Sequence, residues 1–114
     1  MSHLRRMEIS IEERTENFTA AASGASTELR FATSSLSLQV VGVGAAPTAW
    51  SVSLQGSNNN ANWTNLLMHI TADGNGANVF TGSNRFPIRY VRVNVTALVL
   101  GGATSINVLW RASV

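Results

Sequence analysis

A two-residue apolar period constrains this chain more than any other feature. Leu36, Leu38 and Val40 alternate with Ser35, Ser37 and Gln39, and Trp50, Val52 and Leu54 alternate with Ser51, Ser53 and Gln55. Near the end, Ile106, Val108, Trp110 and Ala112 alternate with Asn107, Leu109 and Arg111. Strand side chains point to opposite faces in turn, whereas a helix repeats its apolar positions at three- and four-residue steps. The pattern therefore predicts antiparallel strands with one buried and one wet face. In residues 88–95, Val91, Val93 and Val95 are expected to face the core, which puts Arg89 at the rim of that face.

Turn signals divide these runs: Gly42–Pro47, Gly56–Asn62, Asp73–Gly76, Gly82–Asn84 and Gly101–Gly102. Strands broken by such signals at short intervals imply a sandwich or a barrel. Ala20–Ala25 is the one helix candidate, and Gly24 with its flanking Ser and Thr residues opposes it. With 114 residues the chain has room for one domain with a core of its own. The expectation is an all-β antiparallel sandwich spanning 17–114, preceded by an extended N-terminal arm or strand over 1–16.

Charge marks that division. All eight basic residues are arginine, six acidic residues oppose them, and the net charge is +2. Charged residues make up 12% of the chain, about half the usual share for a soluble domain. Arg5, Arg6, Glu8, Glu12, Glu13, Arg14 and Glu16 all fall within the first 16 positions. Elsewhere Ser, Thr, Asn and Gly replace charge, as on surfaces that neighbours cover or that present many hydrogen bonds. In the arm, Met7, Ile9 and Ile11 alternate with Glu8, Ser10 and Glu12. Such a segment either returns to its own sheet or reaches a neighbour, and the sequence leaves both open.

Chemistry is thinly represented. There is no cysteine, hence no disulfide and no thiolate nucleophile or ligand. Glu8, Glu12, Glu13 and Glu16 lie in the arm, and Asp73 sits in a glycine turn where Asp is expected for backbone reasons. His3 is terminal, and His69 reads as a satisfied strand histidine. No Gly-x-Ser-x-Gly elbow occurs. Enzymatic activity and catalytic residues are not expected. Asp73–Asn78 echoes a calcium loop but has one carboxylate and no closing Glu, so it reads as a hairpin turn, with no metal and no cofactor. Arg85, Arg89, Tyr90 and Arg92 form the one basic and aromatic cluster. The interleaved valines suit a packed strand, and an arginine there can pair with Glu28, so no nucleic-acid partner is expected. No apolar run reaches the roughly 18 residues of a membrane span, and Met1–Arg6 leads into charge, so neither a membrane partner nor a secretion signal is expected.

One constellation carries a resemblance. The strand ending at Gln55 runs into Gly56-Ser57-Asn58-Asn59-Asn60-Ala61-Asn62-Trp63, and Arg89-Tyr90-Val91-Arg92 follows downstream. Over residues 48–114 this resembles the small jelly-roll-like sandwiches of tailed-phage virions, the head decoration or cement proteins. It is also similar to discoidin-type carbohydrate-binding sandwiches, which share the turn-to-Trp hairpin. The chain is shorter than discoidin domains, lacks their cysteines, and has Asn where Asp-Gly is usual.

The phage resemblance implies a homotrimeric capsid decoration protein on the virion surface. It would bind the major capsid protein and bridge capsid subunits. Leu4, Met7, Ile9 and Ile11 would then supply apolar or added-strand contacts, and Arg5, Arg6 and Arg14 would pair with a neighbour's carboxylates. The second resemblance implies a carbohydrate-binding module or tail-fibre tip, with Asn58, Asn59, Asn60, Trp63 and Asn84 facing the ligand. The favoured alternative for these residues is turn chemistry plus a core tryptophan, with Trp63 capping the sandwich end and shielding the turn.

Overall fold

The computed structural model describes residues 11–114, the side chains of 67–69 and 80–86 excepted. The described residues form nine strands: β1 (Ile11–Phe18), β2 (Ala22–Ser23), β3 (Thr27–Glu28), β4 (Thr33–Val43), β5 (Ala49–Ser57), β6 (Thr64–Ala72), β7 (Gly76–Phe86), β8 (Tyr90–Val99) and β9 (Ser105–Ser113). They build two antiparallel sheets packed as a sandwich. One has the order β1-β9-β4-β7; the other has the order β2-β8-β5-β6, with β3 also paired to β8.

The alternating runs supply both inner faces. Leu36, Leu38 and Val40 of β4 and Ile106, Val108, Trp110 and Ala112 of β9 are buried from one side. Trp50, Val52 and Leu54 of β5 and Val91, Val93 and Val95 of β8 meet them from the other. Each such side chain contributes roughly 1.5–3 kcal/mol on burial, so this shared layer outweighs any surface contact described below. Phe18 and Leu29 close one side of it.

The arm resolves in favour of the domestic strand for its described part. β1 pairs with β9 from Ile11↔Ser113 to Phe18↔Ile106, and so runs through the compositional boundary at 16/17. Leu4, Arg5, Arg6, Met7 and Ile9 lie outside the described residues. Opposed residues share a face, so Arg14, opposite Trp110, and Glu16, opposite Val108, lie on the core side, whereas Ile11 and Glu13 lie on the outer side. The two charges reach across the open side of the sandwich. Arg14 Nη1 donates to Thr27 Oγ1 at 2.6 Å, and Glu16 Oε2 accepts from the Ala25 N–H at 2.9 Å. Inward-directed charge on an edge strand also makes that edge a poor template for a further strand.

Two turn expectations are corrected. Asp73–Gly76 is a corner, since β6 pairs with β5 in one sheet and β7 with β4 in the other, and a hairpin would keep both in one. Gly74 adopts φ 74° there. The corner is pinned on three sides: Trp50 Nε1 donates to the Gly74 carbonyl at 2.6 Å, the Gly74 N–H donates to the Pro47 carbonyl, and Asn75 Oδ1 accepts from the Gly42 N–H. Gly82–Asn84 does not end a strand either. β7 continues through it, with Thr81 opposite Ser35 and Phe86 opposite Thr33, so the turn chemistry becomes a break in register.

Candidate functional site

The two sheets show different outer faces. On the four-stranded sheet, β1, β9, β4 and β7 align Glu13, Arg111, Ser37 and Val79 in one row. Arg111 Nε lies 3.2 Å from Glu13 Oε2 in an exposed ion pair. Beside it, Ile11 and Val79 line a hollow floored by Ser35, Ser37 and Ser113. Val79 is 68% exposed and Ile11 40%. A neighbouring shallow groove of about 340 Å³ runs along Thr15, Gln39 and Leu109. Two open aliphatic side chains around one hollow of a sheet are what a protein partner can cover.

The five-stranded sheet presents polar groups instead. β8 places Tyr90, Arg92, Asn94 and Thr96 outward between its buried valines, and β5 places Ser51 and Gln55 outward beside them. Arg92 Nε donates to Gln55 Oε1 at 2.9 Å, and Gln55 Nε2 donates in turn to Asn65 Oδ1 at 3.1 Å. The Arg92 guanidinium lies over the Trp63 ring, its carbon 4.3 Å from the ring centroid. Ser23 Oγ donates to Asn94 Oδ1, and Thr71 Oγ1 to Ser51 Oγ.

Trp63 is therefore corrected from a core tryptophan capping the sandwich end to a stacking partner on the outer face. It is half-buried and outside the core, whose tryptophans are Trp50 and Trp110. Arg92 was expected only as part of a basic cluster on a packed strand and Gln55 only as a wet-face residue; neither they nor Asn65 were expected to face a ligand. The signal that could have found Arg92 and Gln55 was their place on the wet phase of two alternating runs.

Asn58, Asn59 and Asn60 follow β5, and the turn uses them internally. Ser57 Oγ accepts from the Asn59 and Asn60 N–H groups, and Asn59 Oδ1 from those of Ala61 and Asn62. Asn58 Oδ1 accepts from the Arg89 N–H, and Asn60 takes φ 59°. Two of the three amide oxygens are thus committed to backbone N–H groups, Asn59 within the loop and Asn58 to the segment before β8. Asn84 lies in β7 and His69 in β6, both with side chains outside the described set. Arg89 stands at the rim as expected. Its Nε is 3.2 Å from Glu28 Oε2, and its guanidinium carbon lies 5.4 Å from the Tyr90 ring centroid.

No protein-family profile matches the chain, and no curated protein matches its sequence. Solved structures do match its fold. The SPBc2 prophage-derived protein YomS aligns with TM-score 0.60 at 11% identity, covering 91% of this chain and 95% of YomS. The PBSX exported protein XepA aligns with TM-score 0.51 at 18% identity, covering 93% of this chain and 36% of XepA, so the chain spans about a third of that protein. A carbohydrate-binding module of family 29 aligns with TM-score 0.47 at 10% identity. The sandwich is thus similar in fold to two phage-derived proteins, one of them over nearly its whole length.

Proposed function

We propose that this chain is a structural protein of a phage particle that works by docking on other proteins. The observation that carries the reading is the outer face of the four-stranded sheet, where Ile11 and Val79 stand exposed around one hollow, next to the Arg111–Glu13 ion pair. Shared fold with a prophage-derived protein of similar length supports it.

In its finer form the proposal is a capsid decoration protein. Copies of the chain, as a homotrimer, sit on the outside of the head and bridge units of the major capsid protein. A ligand that binds only the assembled shell stabilises it by mass action, and several contacts per copy raise the effective concentration of each. Arg14 would hold its place at the β1 edge through Thr27, with residues 1–10 adding further contacts.

The test uses particles of the phage whose genome encodes the chain. Purified heads should contain the protein in a fixed ratio to the major capsid protein. Heads from a deletion mutant should open at lower temperature and rebind added protein. Its absence from purified particles overturns the structural reading. Presence only on tails overturns the decoration role and leaves the broader reading standing. Light scattering should give about three times 12.2 kDa in solution.

A further inference from the structure

We propose that the outer face of the five-stranded sheet binds a carboxylate-bearing saccharide, with Arg92 as the receptor for the carboxylate. The inference stands apart from the docking face and does not depend on it.

The argument starts from the direction of the hydrogen bonds. Arg92 Nε donates to Gln55 Oε1, and Gln55 Nε2 donates to Asn65 Oδ1. Both amide oxygens are engaged within the relay. Donors predominate in what the relay leaves free: the four Nη hydrogens of Arg92, one N–H of Gln55 and the Asn65 NH₂, against one further lone pair on each amide oxygen. A face of donors is complementary to oxygen acceptors, and a guanidinium offering paired N–H groups matches a carboxylate in two-point fashion. Among the described residues no carboxylate pairs with Arg92, whereas Arg89 has Glu28 and Arg111 has Glu13.

The site is also held in advance. Gln55 fixes one edge of the guanidinium and Trp63 supports its plane. Less side-chain freedom is therefore lost on binding, which favours affinity. A nucleic-acid backbone would need several free cations in a row, and Glu28 neutralises the nearest one.

The surroundings favour a sugar over an acidic peptide. Gln55, Asn65, Asn94 and Ser23 are neutral hydrogen-bonding groups, suited to hydroxyls. Protein interfaces need an apolar centre. Among the described residues, the exposed large aliphatic side chain of this sheet, Val99, is at the far end of β8.

The test titrates the full chain with trigalacturonate and 3′-sialyllactose, each against its neutral counterpart, the methyl ester and lactose. Trp50 and Trp110 are buried, so tryptophan emission responding to ligand reports Trp63. Calorimetry supplies the affinities. At least one acidic sugar should bind about tenfold or more tightly than its neutral counterpart, and less tightly as salt rises. Arg92→Lys keeps the charge but loses the fork, and should weaken binding about tenfold. Gln55→Glu supplies an internal carboxylate to Arg92 and should abolish the preference with Arg92 still present. Three outcomes overturn the proposal. They are no binding of either acidic sugar at millimolar concentration, equal binding of acidic and neutral forms, and equal binding of a hexaglutamate peptide. The last would assign the face to an acidic protein. Unchanged thermal unfolding of Gln55→Glu separates loss of binding from loss of fold.

Discussion

Trp50 donates its indole N–H to the Gly74 carbonyl at 2.6 Å, while the equally buried Trp110 has no partner for its own. The two core tryptophans should respond differently to the same change. Trp50→Phe leaves the corner carbonyl without its donor and should cost about 2–4 kcal/mol, the lost packing plus an unmet acceptor. Trp110→Phe also loses packing but removes a buried unpaired N–H, and should cost about 1–2 kcal/mol less. Urea unfolding of both variants, compared at a common slope, measures the difference.

The same ring sets the tolerance of the corner glycines. A Cβ on Gly76 would stand 2.8 Å from Trp50 Cζ2, and the hydrogen-bonded ring has little room to retreat. Gly76→Ala should therefore cost about 1–3 kcal/mol through overpacking. A Cβ on Gly74 meets nothing within 4 Å, so Gly74→Ala carries only the strain of φ 74°, about 1 kcal/mol. Thermal melts should rank Gly76→Ala below Gly74→Ala; the reverse order would mean that the Trp50 ring can move.

The visible ion pairs should matter little to stability. Arg89 and Glu28 side chains are 60% and 42% exposed, and Arg111 and Glu13 are 56% and 66% exposed. Solvent screens both pairs, so double-mutant cycles should return couplings below about 1 kcal/mol that shrink further in salt. A coupling well above that would mean that partner contacts shield them.

The docking face admits a direct test without disturbing the core. Ile11→Lys and Val79→Lys place charge on exposed positions and should change stability by no more than about 0.5 kcal/mol. The double variant should lose most of its association with phage heads. Undiminished association would remove this face from the interaction.

Much of the fold was legible because the inner strands bury one face each. The alternation at Leu36–Val40, Trp50–Leu54, Val91–Val95 and Ile106–Ala112 fixed which residues are internal, and all of those apolar positions are buried. At the edge the same reasoning loses its grip. β1 has a partner on one side only, so its phase is set by pairing with β9 and by the reach of Arg14 and Glu16 toward residues 25–27; Ile11 is left outside. The short strands β2 and β3 were hidden in the small, polar stretch 17–34, because two-residue strands have no period to read. Ser53 shows the limit of a binary pattern. It belongs to the wet phase of β5, yet it is fully buried with its hydroxyl unpaired, while Ser51 and Gln55 of the same phase are half-exposed. The relay from Arg92 to Asn65 joins residues far apart in sequence and depended on strand order, which composition does not encode.

The position of β9 sets a timetable. It lies between β1 and β4 and joins both, yet it is the last of the nine strands to leave the ribosome. Until it arrives, β1 has no neighbour in its sheet, and β4 has only β7 beside it. Assembly of that sheet thus waits on a pairing between the two ends of the chain, from Ile11↔Ser113 onward. Such distant pairing makes for slow folding. A chain lacking β9 would leave the inner face of the five-stranded sheet only partly covered by the β4–β7 pair, which makes it a natural client for a chaperone.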